Sequence, residues 1–92
     1  MAEPIVEYLI SQHAALEMER RGVDDAVVRR VLAAPEQRDS LRQGRDVLQS
    51  RIEMDRKTCL VRVFVDIDRR PAEVVTAYRT SKIDKYWRRS EA

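Results

Sequence analysis

The chain has 92 residues, a net charge of +2, 37% charged residues, two glycines and three prolines. That length accommodates one core and not two, and the composition suits regular structure with solvated faces rather than disorder. One cysteine (Cys59) and one histidine (His13) exclude an internal disulfide and supply no tetrahedral zinc set, so no metal or other cofactor is expected.

Pro4 opens an apolar stretch, residues 5–10, that suits either an extended segment or a first helical turn. Ser11 then fits the N-cap of a helix over residues 12–21, with Gly22 just past its end. Asp24 is a second N-cap, for a helix over residues 25–33 that Ala34-Pro35 terminates. Val23 and Val28 stand at the positions of a hydrophobic staple, and Val27, Val28, Val31 and Leu32 share one face.

The rest reads as strands. Residues 38–41 suit a short edge strand, and Arg42-Gln43-Gly44 a turn. Residues 47–54 alternate, with Leu48, Ile52 and Met54 facing one way and Gln49, Arg51 and Glu53 the other. After an Asp55-Arg56-Lys57 turn, Cys59, Val61, Val63, Val65 and Ile67 make an apolar face; Leu60, Arg62, Phe64 and Asp66 make a mixed one. Arg69-Arg70-Pro71 turns the chain into a last strand over residues 73–79. Short turns between consecutive strands predict an antiparallel meander of three to four strands. The expected fold is α+β, a single domain over residues 1–92 with its core at about 5–88. Two helices cover one sheet face, leaving Arg51 and Arg62 on the other.

Ser81 and Asp84 have capping-box spacing for a C-terminal helix reaching about Arg88, with Ile83, Tyr86 and Trp87 on one apolar stripe. A helix N-terminus also attracts anions, so Thr80, Ser81, Arg79 and Lys82 could border a phosphate there. From Arg69 onward seven Lys/Arg stand against three acids, which concentrates positive charge at this end. No apolar segment has membrane-spanning length and no basic leader opens the chain, so a cytoplasmic location is expected.

His13-Ala14 with Met18, then Arg21-Gly22-Val23, Asp25, Val28, Val31-Leu32 and Pro35, together with the closing VTAYRTSKIDKYW, resemble a bacterial and archaeal family, domain of unknown function 4258. The likeness runs from about His13 to Trp87. Two positions depart from the family pattern: Glu17 replaces a common arginine, and Ala34 a common asparagine. Arg20 or Arg21 would then supply the helix-borne cation. The family is viewed as similar to the RelE/ParE and BrnT toxin folds, which implies a toxin-like domain and metal-independent RNA cleavage.

Such cleavage needs a base for the 2′-hydroxyl, an acid for the 5′-oxygen and cations for the phosphorane. His13 is the candidate base or acid, and Tyr78 and Lys82 complete the catalytic candidates. Arg21, Arg51, Arg62, Arg79, Thr80 and Ser81 are the candidates for holding substrate. RNA, a cognate antitoxin and a second copy of the chain (a homodimer) are the expected partners; a membrane is not. The alternative is a non-catalytic protein- or nucleic-acid-binding module.

Overall fold

Two side-chain caps set the helical half of the molecule. Ser11 Oγ accepts from Ala14 N at 3.0 Å and starts α1 (Gln12–Arg21), while Asp24 Oδ1 accepts from Val27 N at 3.0 Å and starts α2 (Asp25–Ala33). Between them Gly22 is left-handed at φ 69°, a conformation its missing Cβ permits. The computed structural model describes residues 2–89. Met1 and residues 90–92, the two ends of the expected domain and the site of Glu91 in the charge count, lie outside them.

The strands are β1 (Tyr8–Ile10), β2 (Gln37–Arg42), β3 (Arg45–Met54), β4 (Lys57–Asp66) and β5 (Ala72–Thr80), followed by the one-turn helix α3 (Ile83–Tyr86). They form one sheet in the order β1-β5-β4-β3-β2. β2 to β5 are the expected antiparallel meander. β1 adds a fifth strand, parallel to β5, with Tyr8 opposite Ala72 and Ile10 opposite Val74. The α+β architecture stands, but the sheet is mixed and one strand larger than expected. The stretch after Pro4 resolves as extended because β5 offers it an open edge.

α1 lies along β5, and α2 lies over β3 and β4. Ala14, Met18, Val28, Val31 and Leu32 meet Leu48, Ile52, Val61, Val63, Val65, Val74 and Ala77 in one buried cluster. Ile67 falls beyond the end of β4 and is 40% exposed, so it does not extend the apolar face as its spacing suggested. A bulge in β5 changes the alternation: Phe64 faces Thr76, yet Val65 faces Val74, leaving Val75 without a partner. Val74 and Ala77 therefore both enter the core, and Thr76 and Tyr78 share the opposite face. Among the described residues no helix is long and apolar enough to cross a membrane.

The β3–β4 hairpin closes at the Met54–Lys57 pair through Asp55 and Arg56, at φ 52° and 66°. Two left-handed residues are what a two-residue hairpin turn demands. A side chain at such a φ costs about 1–2 kcal/mol, against which glycine's extra freedom in the unfolded chain must be set. Arg56→Gly is therefore expected to stabilise the fold by about 0.5–1 kcal/mol in denaturant melts.

At the other end of the same hairpin Arg45 and Asp66 are cross-strand partners. Arg45 Nε donates to Asp66 Oδ1 at 2.6 Å and Nη2 to Oδ2 at 3.2 Å, with Arg69 at 3.5 Å. The Arg45 hydrogen bonds, then the charges of Arg45 and Arg69, hold the Asp66 carboxyl below the ordinary aspartate range. A folded pKa below the unfolded one gives stability that is present above the unfolded value and lost as pH falls through the folded one. Asp66→Asn is expected to lower stability by about 1–2 kcal/mol near neutrality. It is also expected to flatten the fall in melting temperature below about pH 4. Thermal melts of both proteins across that range check this.

Candidate functional site

Strand register builds one polar row across the sheet. Gln37 faces Gln49, Gln49 faces Arg62, and Arg62 faces Tyr78, all on the side away from α1 and α2. The side chains join hands along it. Gln49 Nε2 donates to Gln37 Oε1 at 2.7 Å, Arg62 Nε to Gln49 Oε1 at 2.9 Å, and Arg62 Nη1 to the Tyr78 hydroxyl at 2.7 Å. Gln49 is 2% exposed, so its amide acts as a fixed dipole aimed at the guanidinium.

Arg62 is the centre of this face. Its Cζ lies 4.4 Å from the Tyr86 ring centroid, 5.3 Å from Phe64 and 5.8 Å from Tyr78. Phe64 and Tyr78 stack at 5.9 Å, and Tyr86 meets Tyr78 edge-on at 6.2 Å. Other part-buried arginines have carboxylate partners: Arg38 has Asp46, Arg45 has Asp66, and Arg79 has Asp55. Among the described residues Arg62 is the one Lys or Arg that is part-buried yet has no carboxylate within 4.0 Å. Two of a guanidinium's five N–H groups are committed, both to neutral oxygens, which leaves an edge for an anion.

The C-terminal segment corrects an expectation. α3 has one turn, and neither Ser81 nor any other side chain caps it; Thr80 Oγ1 instead accepts from Lys82 N at 3.1 Å. The chain then leaves the helix because the sheet's amides take its backbone. Gln49 Nε2 donates to Tyr86 O at 3.1 Å, Gln37 Nε2 to Arg88 O at 2.6 Å, and Arg88 N to Gln37 Oε1 at 3.0 Å. Arg88 also pairs with Asp39. Leu60 is fully buried although it shares the face of Arg51 and Thr80, the face on which this segment meets Arg51 through Trp87.

The Tyr86 phenol titrates below the ordinary tyrosine range. The Tyr78 hydroxyl is the first cause, followed by Lys85 and Arg62 as nearby cations. His13, Glu17 and Arg21 occupy one ridge of α1 at four-residue spacing. Glu17 lies below the usual glutamate range, chiefly through its hydrogen bond from Arg20, with Arg21 adding its charge. Arg21 Nη1 reaches Thr76 Oγ1 at 3.5 Å and Ala77 O at 3.4 Å, and its Cζ is 6.0 Å from the Tyr78 ring centroid.

The expected site residues thus divide. Arg62 and Tyr78 meet directly, and Arg21 stands at their rim. Arg51 shares the face but is held in a two-point pair by Glu36, at 3.1 and 3.0 Å. Arg79 turns to the helix side, where its guanidinium lies against Gly22 and pairs with Asp55 at 3.4 Å. Ser81 and Lys82 are exposed at the start of the one-turn helix, and His13 is exposed on α1. Gln37, Gln49, Phe64 and Tyr86 join the site unannounced by any motif, because their meeting depends on cross-strand register. Among the described residues no group of three or more His, Cys, Asp or Glu is placed to hold a metal ion.

Fold and face together define a small α+β domain with two helices on one side of its sheet and a cation set among aromatic rings on the other. The chain belongs to the family described as Domain of unknown function (DUF4258), whose model matches residues 10–85. That span takes in α1, the whole polar row from Gln37 to Tyr78, and nearly all of α3. Neither the curated proteins nor the solved structures contain a match to it.

Proposed function

We propose that the domain acts on single-stranded RNA, as a toxin-like ribonuclease that needs no metal. The observation that carries the reading is Arg62, a part-buried cation with an uncommitted edge and no carboxylate. A phosphate supplies what that edge lacks, two acceptor oxygens in one plane, and the surrounding rings suit unpaired bases better than a duplex. The toxin class is taken by analogy with RelE/ParE- and BrnT-like folds, in which helices also pack on a small antiparallel sheet.

In this reading Tyr86 acts as its phenolate, a form favoured by Tyr78 and the nearby cations, and takes the proton of the 2′-hydroxyl to become the phenol. The 2′-oxygen attacks phosphorus, the bond to the 5′-oxygen breaks, and Tyr78 returns a proton to that oxygen. Arg62 holds the phosphorane charge and Arg21 the adjacent phosphate. His13 is a further proton-transfer candidate on the ridge that ends in Arg21. An antitoxin for such a protein would lay acidic side chains over the same face.

A second reading, a non-catalytic binding module, is favoured by His13, which among the described residues makes no hydrogen bond to the polar row. Purified protein with labelled single-stranded RNA in EDTA decides. Cleavage to a cyclic phosphate and a free 5′-hydroxyl supports the nuclease, binding without cleavage supports the module, and neither binding nor cleavage removes RNA as the ligand.

A further inference from the structure

Trp87 is the chain's single tryptophan, and it stands outside the core cluster and outside the apolar side chains packed against it. Its ring lies on a charged group instead. The Arg51 guanidinium is 4.1 Å from the indole centroid, and Arg51 is already held by Glu36 through two side-chain hydrogen bonds and one to the backbone. The ion pair therefore fixes the cation, and the cation supports one face of the ring.

The backbone on either side is equally constrained. Tyr86 O is bound by Gln49, while Arg88 N and O are both bound by Gln37. A large ring flanked from three directions, half-buried and away from the core, has less conformational entropy to lose when a ligand arrives than a free side chain would. It also adjoins the candidate site: Tyr86 lies over Arg62, and the next residue lies over Arg51, one alternation step along the same sheet face.

We propose that Trp87 is a prebuilt stacking platform for one unpaired nucleobase, beside the phosphate edge of Arg62. This rests on the RNA reading above and extends it to a second contact. The ligand class is a single strand, since a base within a duplex has no free face to offer. Arg51 is a positioning residue: it holds the indole, and its charge is already matched by Glu36.

The sole indole is its own reporter. A short oligoadenylate titrated into the protein is expected to quench Trp87 emission with the same midpoint as fluorescence anisotropy of labelled RNA. Trp87→Leu keeps apolar cover over the sheet but removes the ring, and is expected to weaken binding roughly tenfold; Trp87→Phe should retain most of it. Binding that Arg62→Ala weakens as the RNA reading requires, but that leaves Trp87 emission unchanged, overturns the platform and spares that reading. So does wild-type affinity in Trp87→Leu. Absence of oligoadenylate binding in every assay overturns both.

Discussion

Arg62→Ala is expected to weaken single-stranded RNA binding by about 30-fold, equivalent to about 2 kcal/mol for a charge-assisted contact. On the proposed mechanism cleavage in EDTA should fall by roughly a hundredfold or more, because there the same cation would face charge that grows in the transition state. The salt dependence of binding gives a separate readout: losing one phosphate contact should reduce the slope of log affinity against log salt by about 0.7. Arg62→Lys keeps the charge but not the fork that engages Gln49 and Tyr78, so it should fall between wild type and alanine. Arg79→Ala is the internal contrast. Its guanidinium lies on the helix side against Gly22 and Asp55, so binding should change by less than about twofold. Equal losses in Arg62→Ala and Arg79→Ala would mean that general charge, not this face, holds the RNA.

The contrast between those two arginines shows what sequence could and could not reveal. Both caps of α1 and α2, the left-handed Gly22 and the meander from β2 to β5 follow from local chemistry, and each stands in the structure. The alternation of β4 correctly put Val61, Val63 and Val65 inward and Arg62 outward. In β5 the same rule could not work, because the unpaired Val75 shifts the phase midway and carries Arg79 to the helix side. β1 was ambiguous for a related reason: its partner lies at the far end of the chain. Non-local pairing leaves no mark on three residues.

The candidate site was half legible for the same physical reason. Arg62 can be named as a cation on the mixed sheet face and Tyr78 as a polar position near the charged end, but their 2.7 Å contact requires a register that only the folded sheet defines. Gln49 reads as an ordinary strand polar, and Gln37 falls just before the expected edge strand over residues 38–41. Their role appears only when the Tyr86–Arg88 backbone crosses above them. Ser81 and Asp84 offered a capping box, yet amide donors on the sheet compete for the carbonyl of Tyr86, and one turn of helix is too short to gain from cooperativity.

Leu48 and Gln49 are consecutive residues facing opposite ways, so substitutions at the two positions can separate fold from site. Leu48 is fully buried between the helices and the sheet, in the cluster that joins α1, α2 and the strands β3, β4 and β5. Leu48→Ala removes buried methyl groups and leaves a cavity, for an expected loss of about 3 kcal/mol. In a domain whose total stability is of order 5–14 kcal/mol, that is a fifth or more of the whole. The melting temperature should drop by roughly 12–20 °C. The polar row lies on the other side of the sheet, and its hydrogen bonds do not involve Leu48. At a temperature where the variant remains folded, RNA affinity should therefore stay within about twofold of wild type. A large stability loss with affinity preserved places the ligand on the Arg62 face. Loss of affinity in proportion to stability would place it across the core, where the helices and sheet meet.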